Sequence, residues 1–260
     1  MNELEYQMMD VLMDLKEKGA IEIKAEFEAE GSRLEELMRL SDVASKAGIP
    51  IILKIGGVEA ITDIYNALLI GAKGIIAPMA ETPFAVSKFL NAIEVFVAED
   101  NRKDIEFAIN IETITAFNNL DVILDLPNID LLHGITIGRG DLVESMNYKR
   151  NEVDRQDILE MSISIAERVK DKGLKLAIGG SITGNSESFL TTLNNKGLLD
   201  KFETRKIAFD SAKCSSMVEG INLALNFELL WLKSKRRYYH RIKIEDEYRI
   251  EALEKRVMMV

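Results

Sequence analysis

Cysteine is almost absent. Cys214 is the only one in 260 residues, so no disulfide can form within the chain, and nothing ties the fold to an oxidising compartment. Long apolar runs are missing too, and no stretch approaches the roughly 18–20 residues that a membrane-spanning helix needs. The start, Met1 to Leu15, is acidic and amphipathic, and it lacks the basic opening and apolar block of a secretory signal. Positive charge is in deficit. Against 43 Asp and Glu stand 33 Lys and Arg, a net charge of −10, and the pI is near 5.0. An acidic chain disfavours nucleic acid and anionic membranes, yet one cationic pocket can still receive a small anion. The expectation is a cytoplasmic protein with neither nucleic acid nor membrane as partner. Histidine is also scarce. His133 lies in an apolar strand pattern and reads as a packed, hydrogen-bonded core residue, while His240 lies in a charged tail.

What is present is a core. With 47% hydrophobic residues, the chain can fill one large α/β domain. From Ala20 to Leu232, short β-branched runs alternate with longer segments of helical period, the pattern of βα units around a parallel sheet. Strands are predicted at Ile21–Phe27, Ile51–Ile55, Gly74–Pro78, Ile105–Ile111, Leu131–Ile137, Lys175–Ile178 and Lys206–Phe209. Several intervening helices end in Gly, as at Gly48, Gly71, Gly173 and Gly197. A (β/α)8-type TIM barrel needs eight strands, and this reading finds seven. Either an eighth hides in an irregular segment, or the N-terminal helix (about Glu3–Lys18) closes the barrel, so that the first strand is incomplete or replaced. A barrel domain over residues 1–232 is predicted, with a long helix from about Ser215 and a charged helical extension over 233–260. The basic run Lys233 to Lys243 turns acidic at Glu245, as expected of a helix that leaves the barrel and packs on a neighbouring subunit, giving a homo-oligomer.

Strand alternation then locates polar side chains. In a parallel barrel strand, one face meets the helices and the other meets the axis. Ile21, Ile23, Ala25 and Phe27 suit the helices, which turns Glu22, Lys24, Glu26 and Glu28 inward. The alternative is an edge-like strand with one solvated face. The same logic points Lys54 inward, and also Glu106, Ala108, Asn110 and Glu112, with Glu112 at the C-terminal mouth where barrel enzymes keep their chemistry. Gly138-Arg139-Gly140-Asp141 follows a strand. Its amides can receive a carboxylate or phosphate, and Asp141 can reach a metal.

Three segments resemble the HpcH/HpaI aldolase and citrate lyase β-subunit family of the phosphoenolpyruvate/pyruvate barrels. They are Gly71-Ala-Lys-Gly-Ile-Ile-Ala-Pro-Met-Ala-Glu-Thr82, Ile109-Asn-Ile-Glu-Thr113 with Asn118-Asn-Leu-Asp121, and Ile129-Asp130 running through Gly138-Arg-Gly-Asp-Leu142 to Ser145-Met146. The resemblance implies Mg2+ or Mn2+ held by Glu112 and Asp141. It also implies a 2-oxo acid such as pyruvate or a phosphoenolpyruvate-like donor, bound through Lys54 and the Gly138, Arg139 and Gly140 segment. The activity it implies is an aldolase or C–C lyase working through a metal-stabilised enolate. The chain departs from the pattern twice. Lys54 stands where the family has Arg, and Ala29 stands where it has His or Asp. The usual base is therefore missing, which leaves Lys24, Glu26, Glu28 (or Glu30) and Lys54 as catalytic candidates. Two alternatives stay open: a Schiff-base aldolase using Lys24 or Lys54, and a barrel altered to bind a metabolite without catalysis.

Overall fold

The structure is a computed structural model, and it describes residues 1–258. The last two residues of the predicted extension lie outside the described residues. Helix α1 (Glu3–Glu17) opens on an Asn2–Glu5 capping box, in which each residue satisfies the other's free amide. Strand β1 (Ala20–Glu26) follows, then α2 (Leu34–Ala47), β2 (Ile51–Lys54), α3 (Ile61–Leu69) and β3 (Gly74–Ala77). Helices α4 (Pro83–Phe96) and α5 (Glu99–Arg102) lead to β4 (Glu106–Ile111). Two short helices, α6 (Ile114–Asn118) and α7 (Leu120–Leu124), precede β5 (Gly134–Gly138), α8 (Arg139–Ser145), α9 (Gln156–Asp171) and β6 (Lys175–Gly179). The chain ends with α10 (Glu187–Asn195), β7 (Lys201–Glu203), β8 (Ile207–Asp210) and α11 (Met217–Val257).

The eight strands close into a barrel in sequence order. The missing strand is β7, three residues inside the segment read as irregular. The first strand is neither incomplete nor replaced, because β1 pairs with β2 on one side and β8 on the other. Helix α1 lies outside, against α2 and α11. Nor is the sheet wholly parallel, the arrangement that the βα pattern leads one to expect. Strands β1 to β7 run parallel, but β8 is antiparallel to both neighbours. The cause is a tight turn through Thr204–Lys206. The Thr204 amide donates to the Ile207 carbonyl (2.9 Å), and the Thr204 hydroxyl accepts from the Ile207 amide (3.1 Å). Behind the turn, Phe202 and Phe209 stack with ring centres 4.8 Å apart.

A hairpin needs no crossover helix, so α11 covers this side instead. It starts near the foot of the barrel, where Glu219 pairs with Lys18 (2.5 Å). It climbs along α1 until Ser234 accepts from Arg39 (2.7 Å) and Lys235 meets Glu36 (2.8 Å), near the start of α2. Among the described residues, no helix is long and apolar enough to cross a membrane.

Alternation holds along the sheet. Ile23, Ala25, Leu53, Ile75, Phe107, Ile109 and Ile135 join the large apolar layer under the helices, while Ile52, Ile76 and Ala208 form a small cluster on the axis. Much of the remaining interior is small or charged. At the foot, Lys201 bridges Glu22 (2.8 Å) and Glu106 (2.7 Å), and Lys175 also meets Glu106 (2.7 Å). His133 differs from its expected role. It is exposed at this rim, just before β5, and its Nδ1 accepts from the Phe107 amide (3.2 Å).

Candidate functional site

The C-terminal strand ends surround a cavity of about 350 Å3. Glu112, the residue after β4, lies in its floor and is 1% exposed. Its Oε1 accepts from the Met79 amide (2.9 Å), and its Oε2 accepts from the Asn110 side-chain amide (3.0 Å). Met79 reaches this geometry with a left-handed φ of 51°, strain of the kind that clusters at functional sites. Among the described residues Glu112 has no ion-pair partner, since the nearby Lys54 is engaged by Glu28. Burial pushes its carboxyl up. The charge of Lys54 and the two hydrogen bonds offset part of that rise, and Asp141 adds to it.

Asp141 sits in the first turn of α8 and shares the cavity, and Arg150 lies 3.6 Å away. The predicted inward residues of β1 and β2 meet here as well. Lys24 pairs with Glu203 (2.8 Å) and Glu26 (3.5 Å), and Lys54 pairs with Glu28 (2.7 Å). Burial alone would lower the Lys24 ammonium, but Glu203 and Glu26 outweigh it and hold it above its ordinary range. Glu26 moves the other way. Burial would raise it, but Lys24, Lys54, Arg205 and Lys206 keep it low.

The Gly138–Gly140 segment divides in two. Backbone at this turn faces the site. The Arg139 side chain does not. It is fully buried, bonded to Asp154 (2.5 Å) and to the Gly179 and Gly180 carbonyls (both 3.2 Å), and its guanidinium covers the Phe189 ring at 4.4 Å. Its guanidinium is spent on holding this turn against the loop after β6. Gly180, at φ 78°, lets the backbone pass close to the Arg139 amide. A Cβ there would lie 2.4 Å from the Gly140 nitrogen and 2.7 Å from that of Arg139.

Sequence reasoning missed several lining residues: Arg150, Glu203, Arg205, Leu225 and Glu228. Glu203 and Arg205 belong to the hairpin, whose first strand is too short to show a period. Leu225 and Glu228 come from α11, whose path depends on that hairpin.

The residues suit a hard cation. Glu112 keeps lone pairs beyond its two hydrogen bonds, and the Asn110 Oδ1 beside it is buried without a hydrogen-bond partner among the described residues. No three His, Cys, Asp or Glu side chains converge as a ligand set among the described residues. An ion here would have two carboxylates and oxygen atoms from water and substrate, as Mg2+ commonly does.

Residues 6–185 match the HpcH/HpaI aldolase/citrate lyase family. A 2-keto-3-deoxy-L-rhamnonate aldolase of Shigella dysenteriae is 29% identical over 160 residues, covering 52% of this chain and 57% of that protein. The Klebsiella pneumoniae protein of the same name is 28% identical over 150 residues, covering 48% and 54%. The chain thus spans little more than half the length of these relatives. Among solved structures, an HpcH/HpaI aldolase from Desulfitobacterium hafniense superposes with a TM-score of 0.61 at 14% identity, covering 75% of this chain and 81% of that one. The citrate synthase SbnG superposes with 0.61 at 18% identity, covering 88% and 89%. At such identities the likeness carries the barrel alone. The family match runs from α1 past β6 and takes in both Glu112 and Asp141, and on that match this chain belongs to the HpcH/HpaI aldolase/citrate lyase family.

Proposed function

We propose that the chain is a divalent-metal-dependent aldolase or C–C lyase acting on a 2-oxo acid, pyruvate or a phosphoenolpyruvate-like compound, with Mg2+ or Mn2+ held by Glu112 and Asp141. One observation carries this reading. Among the described residues, Glu112 is a buried carboxylate without an ion-pair partner, fixed by two hydrogen bonds at the floor of a cavity that Asp141 shares. A buried, uncompensated charge costs several kcal/mol, roughly, and a bound cation removes that cost. When bound, the ion supplies Lewis-acid stabilisation of negative charge on the 2-oxo oxygen.

The protein's own groups do the rest. The turn from Gly138 to Asp141, whose two end residues line the cavity, can receive the substrate carboxylate at the start of α8. Lys54 places a positive charge near Glu112, and its pairing with Glu28 fixes the ammonium. The lysine route fits less well. A Schiff base needs a neutral amine, and both Lys24 and Lys54 are held in ion pairs. Calorimetry with Mn2+ and oxalate tests the proposal. Wild-type protein is expected to bind both, and Glu112→Gln is expected to lose the ion. Equal Mn2+ affinity in that variant would overturn the assignment.

A further inference from the structure

We propose that Glu228, reaching over the cavity from α11, is the base that removes a proton from C3 of the 2-oxo acid. The inference rests on the function proposed above and adds the group that function lacks. The step is simple. A carboxylate oxygen takes the proton, the C3–H electron pair becomes the C2–C3 double bond, and the C2 oxygen takes the negative charge. In the reverse direction, the same carboxyl returns the proton.

Such a group must be free to change its charge, and most acids around the cavity are not. Glu28 is locked to Lys54 at 2.7 Å and Glu203 to Lys24 at 2.8 Å. Glu26 lies between Lys24 (3.5 Å) and Arg205 (3.4 Å), and Asp141 faces Arg150 at 3.6 Å. To protonate any of these is to give up an ion pair. Glu112 is turned to Met79 and Asn110. Ala29, also on the cavity wall, has no ionisable side chain.

Glu228 is different. Among the described residues it forms neither an ion pair nor a side-chain hydrogen bond, and it lines the cavity three residues after Leu225, which does the same. The helix is anchored beside Glu228, since Ile221 and Ala224, seven and four residues earlier along the same side, and the neighbouring Phe227 are fully buried. The helix backbone is therefore fixed at the cavity, while the carboxyl oxygens stay free. Arg205 and Lys206 face it from the hairpin, with Glu26 and Glu30 from β1 and the loop after it. Burial pushes the Glu228 carboxyl up, and the two cations restrain the rise without cancelling it. A carboxyl raised toward neutrality is better suited to proton transfer at ordinary pH.

The test is deuterium exchange at the pyruvate methyl in the presence of Mg2+, followed by NMR across pH. Wild-type protein is expected to exchange, with a rate that rises as Glu228 ionises. Glu228→Gln is expected to slow exchange by about 100-fold or more and to lose that rising limb. It should keep the wild-type calorimetric affinity for Mn2+ and oxalate, which shows that the fold and the anion site survive. Glu228→Asp should recover part of the rate. Wild-type exchange with an unchanged rate and pH profile in Glu228→Gln would overturn the assignment alone. No exchange in the wild type would overturn the proposed function, and this base with it.

Discussion

A single hydrogen atom at Gly138 lets Glu112 stay where it is. A Cβ at that position would fall 2.4 Å from the Glu112 Oε2 and 2.6 Å from its Cβ, at the point where β5 passes closest to the end of β4. Glu112 has little room to move, being buried and tied to Met79 and Asn110. Gly138→Ala should therefore displace the carboxylate, at about 1–3 kcal/mol of overpacking. The expected result is a folded protein with lower urea stability and no measurable Mn2+ binding, much like Glu112→Gln. Gly179→Ala is the matched control. A Cβ there would meet nothing nearer than 3.6 Å, so its stability should stay close to wild type. Equal Mn2+ affinity in Gly138→Ala would mean that the two strands separate easily and that Glu112 is not held as described.

At the level of strands, the foot of the barrel gives a pH signature. Burial would raise the Glu106 carboxyl, but hydrogen bonds and charge from Lys175 and Lys201 outweigh it and bring the pKa from 4.5 down to about 2. A depressed carboxyl stabilises the fold above its unfolded pKa, and that contribution fades as pH falls through the folded value. Stability should thus decline between about pH 4.5 and about pH 2, and Glu106→Gln should flatten the decline in urea titrations over that window. Glu22 opposes it, because burial raises its carboxyl and its ionised form is the disfavoured one. Comparison with Glu106→Gln isolates the Glu106 part, and an unchanged pH slope in that variant would count against the network. These strands were legible in the sequence because each has enough residues for alternation to show. Ile23 and Ala25 against Lys24 and Glu26 suffice for β1, and Phe107 and Ile109 against Asn110 place Glu112. Three residues, Lys201–Glu203, cannot display a period. A four-residue apolar strand such as Ile207–Asp210 looks alike in either direction. The hairpin was therefore hidden, and with it Glu203, Arg205 and the turn of α11 that brings Glu228 to the cavity. Asp141 sits between these cases, since its turn motif alone is common and the family resemblance paired it with Glu112.

At the scale of the whole molecule, the last described helix outruns its support. Beyond His240, α11 continues to Val257, roughly 25 Å at helical rise. Nearly every side chain there is exposed, and among the described residues its ion pair, Lys243 to Glu247, lies within the helix. A solvated helix of that length gains little from local bonds alone and is marginal in water. Ile242, Ile250, Leu253 and Val257 fall at helical spacing along one side, and all four are exposed. The charges on either side change sign along the axis. Lys233, Lys235, Arg236, Arg237, Arg241 and Lys243 come first, and the segment after them is net acidic, with Glu245, Asp246, Glu247, Glu251 and Glu254 against Arg249, Lys255 and Arg256. A second copy laid antiparallel would set basic against acidic segments in both directions and cover both apolar stripes, the self-complementarity that twofold symmetry requires. We therefore propose that the chain self-associates through this helix. Light scattering is expected to give a dimer or a larger assembly. Ile250→Asp combined with Leu253→Asp should shift it to the monomer mass without changing the far-UV spectrum of the barrel, because neither side chain touches the core. A wild-type monomer at every concentration would overturn the proposal. So would an assembly that the paired substitutions leave intact, since its contacts would then have to lie on the barrel itself.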